Sequence, residues 1–175
     1  MIRIYKYGEV SNDQIFARKD LSANVEDIVA GIISDVKKNG DKALFAYTEK
    51  FDKAVLSSLE VTEAEWNEGI KKVSPEFTAI LTEAAGNIRS FHEKQVRTSF
   101  IINEQDGVCI GQKVTPIEKV GIYVPGGTAA YPSTVLMDTI PAKIAGCGQI
   151  IMVTPPASDG SVLPEILAAA RIAGV

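Results

Sequence analysis

Cysteine, histidine and long apolar runs are all scarce in this chain, and each scarcity closes off a class of function. Cys109 and Cys147 are the only cysteines among 175 residues, too few and too far apart for a disulfide framework. A reducing cytosol is therefore the expected compartment, that is, a cytoplasmic protein. His92 is the sole histidine, and no CxxC or HxxxH spacing occurs. Zinc takes three or four ligands drawn from Cys, His, Asp and Glu, so this chain is not expected to hold a metal by itself. A GxSxG elbow and a Cys–His pair are also missing, which leaves no nucleophilic enzyme to argue for. The acidic residues are spread over solvated helix faces, and no pair of them is nominated for catalysis.

Further absences concern partners. No apolar run reaches the 18 residues that a membrane-spanning helix needs. The opening Met1-Ile2-Arg3-Ile4-Tyr5-Lys6-Tyr7 has neither an apolar signal core nor a small-residue cleavage site. Positive charge is short too. A net charge of −4 and a pI near 5.1 argue against nucleic acid or an anionic membrane, both of which attract basic surfaces. Repeats and low-complexity tracts are absent.

What is present is an ordinary globular composition, 46% hydrophobic, which allows a packed core in one domain or two small ones. Met1 to Tyr7 alternates apolar and polar residues and suits a short strand or arm; residues 8 to 23 are polar and unpatterned. Asn24 is placed to cap a helix with Glu26 and Asp27 in its first turn. Val25, Ile28, Val29, Ile32, Ile33 and Val36 form its apolar stripe, and Asn39-Gly40 ends it. Asp41 can cap a second helix carrying Leu44, Phe45, Tyr47 and Phe51. Thr62 and Glu65 have capping-box spacing for a third, running to about Val73. Ser74-Pro75 starts the best amphipathic helix, whose face runs from Phe77 through Ile80, Leu81, Ala84, Ala85 and Ile88 to Phe91. Asp106-Gly107, between Phe100-Ile101-Ile102 and Val108-Cys109-Ile110, reads as a β-hairpin.

The stretch that organises the rest is Val120-Gly121-Ile122-Tyr123-Val124-Pro125-Gly126-Gly127-Thr128. It reads as a buried strand over 119 to 124 that feeds a tight turn at a helix start, an arrangement that favours phosphate. Leu136, Met137, Ile140 and Ile144 mark the helix, with Pro141 expected to kink it or split it in two. Gln149 to Thr154 is a second buried strand, stopped by Pro155-Pro156, and a last helix runs from Pro164 to Gly174. The expected fold is thus α/β: a helical N-terminal layer followed by an incomplete Rossmann-like parallel βαβα unit. Its expected divisions are an arm over 1–23, a helical region with a hairpin over 24–118, and the first half of a nucleotide-binding domain over 119–175. A two-stranded parallel sheet is poorly stabilised alone, so the sequence reads as interrupted after Val175.

The glycine turn has the spacing of a P-loop, but Gly127 stands where the phosphate-binding lysine belongs, and GxGxxG is absent. Ligand binding and a merely tight turn both fit the pattern. Tyr123 beside it either packs on a base or ribose or belongs to the core. His92 borders the apolar stripe and reads as a capping or hydrogen-bonding residue sooner than a catalytic one; Cys147 reads as a small apolar filler.

The run from Val120 to Met137, followed by Ile140-Pro141-Ala142-Lys143-Ile144-Ala145-Gly146-Cys147, resembles histidinol dehydrogenase. So do Phe91-His92-Glu93-Lys94-Gln95 upstream and Val153-Thr154-Pro155-Pro156 downstream. The family protein is more than twice as long, and this chain resembles its N-terminal part. The resemblance implies an NAD-dependent, zinc-requiring oxidation of L-histidinol to L-histidine in histidine biosynthesis, through an aldehyde and two hydride transfers. It implies a homodimer with incomplete Rossmann-like domains, and small terminal segments that reach the other subunit. It assigns NAD contact to Tyr123, with Pro125, Gly126 and Gly127 as the adjoining turn. It also implies that the zinc ligands and the Glu-His acid–base pair lie past Val175, so the 175-residue chain alone is expected to be inactive. The rival expectations are a stand-alone nucleotide- or anion-binding module and a non-catalytic dimerisation piece.

Overall fold

The computed structural model describes residues 4–17, 25–126 and 130–175. They fall into two compact units divided between Gly40 and Asp41.

The first unit contains two helices. α1, Asn12–Phe16, lies in the stretch expected to be unpatterned, and its cause is local. Ser11 Oγ accepts the Gln14 N–H at 3.3 Å while Gln14 Oε1 accepts the Ser11 N–H at 3.2 Å. This reciprocal capping box was legible as Ser-x-x-Gln and was missed. Ile4 to Lys6 form no strand, in contrast to the alternation expected over 1–7. α2, Glu26–Asn39, has the expected stripe, and it ends at Gly40, whose positive φ of 56° a side chain would resist. Asn24, the expected cap, lies outside the described residues.

The second unit opens with α3 (Asp41–Asp52), α4 (Glu63–Lys71) and α5 (Pro75–His92). Each predicted start in α4 and α5 is made by the residue expected. Thr62 Oγ1 accepts the Glu65 N–H, and the Glu65 carboxylate accepts from the Thr62 N–H and hydroxyl at 2.7 Å each. Ser74 caps Phe77 N–H, with Pro75 in the first turn where a missing N–H is harmless. A 3-10 turn over Glu93–Gln95 closes α5. The hairpin follows as β1 (Phe100–Gln105) and β2 (Val108–Gln112), antiparallel, turning at Asp106-Gly107 with Gly107 at φ 78°.

The remainder is the βαβα unit: β3 (Lys119–Tyr123), α6 (Pro132–Ile144), β4 (Gln149–Val153) and α7 (Pro164–Ala173). β3 and β4 pair in parallel, with Gly121 opposite Ile151 and Tyr123 opposite Val153. Of the two outcomes expected of Pro141, a kink or a split, the split does not occur: α6 continues through it. It falls in the last turn, where only the bond to the Met137 carbonyl is lost. Past it, Ala145 N–H still reaches the Pro141 carbonyl at 2.8 Å, and the fully buried Ile140 holds the turn in the core. α7 ends on Gly174 at φ 85°, whose N–H returns to the Ala170 carbonyl.

The core lies on one side of this sheet. Leu81 and Ala85 of α5, Ile122 and Val124, Val135, Leu136 and Ile140 of α6, and Ile166 with the alanines of α7 form one buried cluster. Small residues let α7 approach α4, α5 and α6 closely. The pleat sends Ile122, Ile150 and Met152 toward that cluster and sends Tyr123, Ile151 and Val153 the other way. These three are 63%, 52% and 56% exposed. The two strands are thus half-buried instead of buried as expected.

Candidate functional site

The candidate site lies at the carboxyl ends of β3 and β4, where open α/β sheets take their ligands. Tyr123 is the last residue of β3, and its ring stands on the uncovered face. The reading of Tyr123 as a core residue is thereby excluded. Val124 turns inward and is fully buried, and its N–H extends the ladder to the Val153 carbonyl at 2.9 Å. Pro125 is exposed and Gly126 half-buried. Gly127 lies outside the described residues, so the structure gives Tyr123, Pro125 and Gly126 of the four expected site residues.

The turn is not the first turn of a helix, as the sequence suggested. β3 ends at Tyr123, Pro125 and Gly126 are in no helix, and α6 begins with Pro132 and no side-chain cap. Proline at that position removes one of the free N–H groups that would face an anion. What glycine serves at 126 is close approach. A Cβ there would stand 3.0 Å from the Pro155 carbonyl oxygen and 3.4 Å from Thr154 Oγ1, from the loop that leaves β4. A hollow beside Gly126 is small, about 40 Å³, lined by Thr154, Pro155 and Leu163 among others. That hollow is too small to enclose a dinucleotide.

A larger concavity of about 470 Å³ lies elsewhere in the second unit, between the start of α4 and the end of α7. Several of its polar groups are already engaged. Arg171 lies over the Trp66 ring at 4.9 Å and pairs with Glu63 at 2.9 Å, and Thr62 is held by Glu65. Size alone does not make it the better site: none of the residues that line it belongs to β3, β4 or the loops at their carboxyl ends.

His92 hydrogen-bonds through Nδ1 to Gln95 Oε1 at 2.7 Å and meets the Phe91 ring edge-on, the hydrogen-bonding role expected of it. Cys109 is exposed and Cys147 half-buried, both as free thiols. Among the described residues no three His, Cys, Asp or Glu side chains are grouped to hold a metal ion. None of the described helices is long and apolar enough to cross a membrane. Three carboxyl groups sit below their ordinary range, all at local turns: Glu65 through Thr62, Glu68 through Lys71 and Asp159 through Ser161. All three are structural and remote from Tyr123 in sequence.

A parallel β–α–β pair, with a glycine loop and an exposed aromatic at its carboxyl end, defines the class: an α/β chain with part of a Rossmann-like unit. The family follows from comparison. The histidinol dehydrogenase family profile matches residues 17–175, and the chain belongs to that family. It is 48% identical to histidinol dehydrogenase of Clostridium acetobutylicum, over all of this chain and 42% of that protein. Against the Listeria monocytogenes protein the identity is 53%, over 88% of this chain and 36% of the relative. The crystal structure of histidinol dehydrogenase from Elizabethkingia anophelis superposes with a TM-score of 0.84 at 41% identity, covering 91% of this chain and 36% of that one. The chain thus spans about two fifths of the length of the curated relatives it matches.

Proposed function

We propose that this chain supplies the first half of the NAD-binding domain of an enzyme that oxidises L-histidinol to L-histidine. The observation that carries the reading is the exposed Tyr123 ring at the carboxyl end of β3, beside a loop in which a Cβ at Gly126 would stand only 3.0 Å from the Pro155 carbonyl oxygen. When bound, NAD supplies the hydride acceptor. Tyr123 offers an aromatic face for a base or ribose, and Pro125, Gly126 and Gly127 form the side-chain-poor lip next to it. The proposed divisions remain an arm over 1–23, a helical region with a hairpin over 24–118 and the nucleotide-binding half over 119–175.

The zinc of the family enzyme is a different matter. The described residues do not fit it, since the single histidine is engaged with Gln95 and carries no companion ligands. No step of the reaction is routed through a metal on this chain. The proposed substrate L-histidinol, the homodimeric state and the cytoplasmic location belong to the intact enzyme.

Two measurements test the reading. Purified chain given histidinol, NAD and zinc is expected to form no NADH; zinc-stimulated NADH formation would overturn the assignment of catalysis to other polypeptide. Titration of ¹⁵N-labelled chain with millimolar NAD⁺ is expected to shift the amides of Tyr123 and Gly126 with weak affinity. Shifts confined to other residues would refute the site, and tight saturable binding would favour a stand-alone nucleotide module. The uncovered Ile151 and Val153 favour one further reading, a piece that assembles with more polypeptide. A strictly monomeric chain at micromolar concentration in light scattering would count against self-assembly.

A further inference from the structure

Two segments leave the parallel pair side by side, Val124–Gly126 from β3 and Thr154–Pro155 from β4. Their bases are tied by the Val124 N–H to Val153 carbonyl bond at 2.9 Å, and Val124 is sealed in the core. Further out, the Gly126 backbone is seated against Pro155. A Cβ at 126 would meet the Pro155 carbonyl oxygen at 3.0 Å and its Cδ at 3.2 Å. Pro155 is a stiff wall, because its ring fixes φ. Gly126, by contrast, is intrinsically the most mobile kind of residue. The loop after β3 is therefore bounded by Val124 on the core side and by Pro155 on the other.

We infer that Pro155 is a positioning residue for the loop that carries Pro125 and Gly126 past Tyr123, so that the lip is held by both strand ends. The ligand part of this inference rests on the NAD reading above; the bracing does not. A loop already seated loses less conformational freedom when a ligand closes on it, which raises affinity without adding a contact.

The test uses ¹⁵N relaxation and NAD⁺ titration on the wild-type chain, Pro155→Ala, Gly126→Ala and the double variant. In wild type the Gly126 amide should have a rigid order parameter, about 0.8, and in Pro155→Ala it should fall toward about 0.6. The unfolding midpoint, followed by Trp66 fluorescence, should barely move, which separates a local brace from general destabilisation. Gly126→Ala should weaken the NAD⁺ response, and adding Pro155→Ala should restore part of it, because the wall that the new methyl strikes can then recede. A wild-type Gly126 that is already mobile, or one whose order parameter ignores Pro155→Ala, overturns the inference. An NAD⁺ response that is normal in both single variants overturns its ligand part. If wild type shows no NAD⁺ response at all, the functional reading fails, and the order parameters alone then decide the brace.

Discussion

Among the described residues, Thr139 is the one position where the core goes against its own chemistry, and replacing it by valine should stabilise the protein. Its side chain is 0% exposed on α6, between the buried Val135, Leu136 and Ile140, and its hydroxyl has no hydrogen-bond partner. Threonines of α5 show the usual solution. Thr78 Oγ1 donates to the Ser74 carbonyl at 3.1 Å and Thr82 Oγ1 to the Thr78 carbonyl at 2.8 Å. Thr139 does not bond Val135 in that way. A buried hydroxyl left unpaired costs about 1–3 kcal/mol. Valine has nearly the same shape, similar helix propensity and a single preferred rotamer in a helix. Thr139→Val should therefore gain about 1–2 kcal/mol, read as a higher urea midpoint at unchanged slope. For a unit of this size that corresponds to about 2–6 °C in Tm. Trp66 packs against the same cluster and is the only tryptophan, so its fluorescence reports this unit. Thr139→Ser, which keeps the hydroxyl and loses the methyl, should destabilise. A lowered midpoint in Thr139→Val would refute the reasoning and would mean that the hydroxyl donates to the Val135 carbonyl in solution.

Three other outcomes follow from particular contacts. Leu136→Ala empties a fully buried site in the α5–α6–α7 core and should cost about 2–5 kcal/mol, measured by the same denaturation. Gly111→Ala would drive a methyl into the Phe100 carbonyl across the hairpin, so amide exchange over β1 and β2 should accelerate while the βαβα amides stay protected. The Glu65 carboxyl is held low by the Thr62 N–H and hydroxyl, so the folded state binds its proton more weakly than the unfolded chain does. Its contribution is complete above the ordinary glutamate value of 4.5 and fades as pH falls below it. Glu65→Gln should flatten that acid-side loss slightly, the group being solvent-exposed; an unchanged pH profile would remove the capping carboxylate as its source.

Much of the fold was legible because its signals are local. Ser74-Pro75, Thr62 with Glu65, Asp106-Gly107 and Gly174 each satisfy or terminate backbone groups within a few residues of themselves, so no distant neighbour is needed to interpret them. Ser11 and Gln14 carry the same kind of signal, a reciprocal capping box at the start of α1. The candidate site was less legible. Pro125-Gly126 marked a turn, yet its distance from α6 depended on where Pro132 could begin a helix.

The sequence by itself determined where helices start and stop, that two parallel strands flank a helix, and which family the pattern belongs to. These depend on capping, on backbone preference and on a long ordered run of residues. Only the tertiary structure decided that Tyr123 faces outward while Ile122 faces the core, because a strand offers both faces equally until helices cover one. It alone decided that α6 continues through Pro141 and that Gly126 lies against Pro155. Those outcomes depend on groups far away in the chain, whose closeness no local pattern encodes.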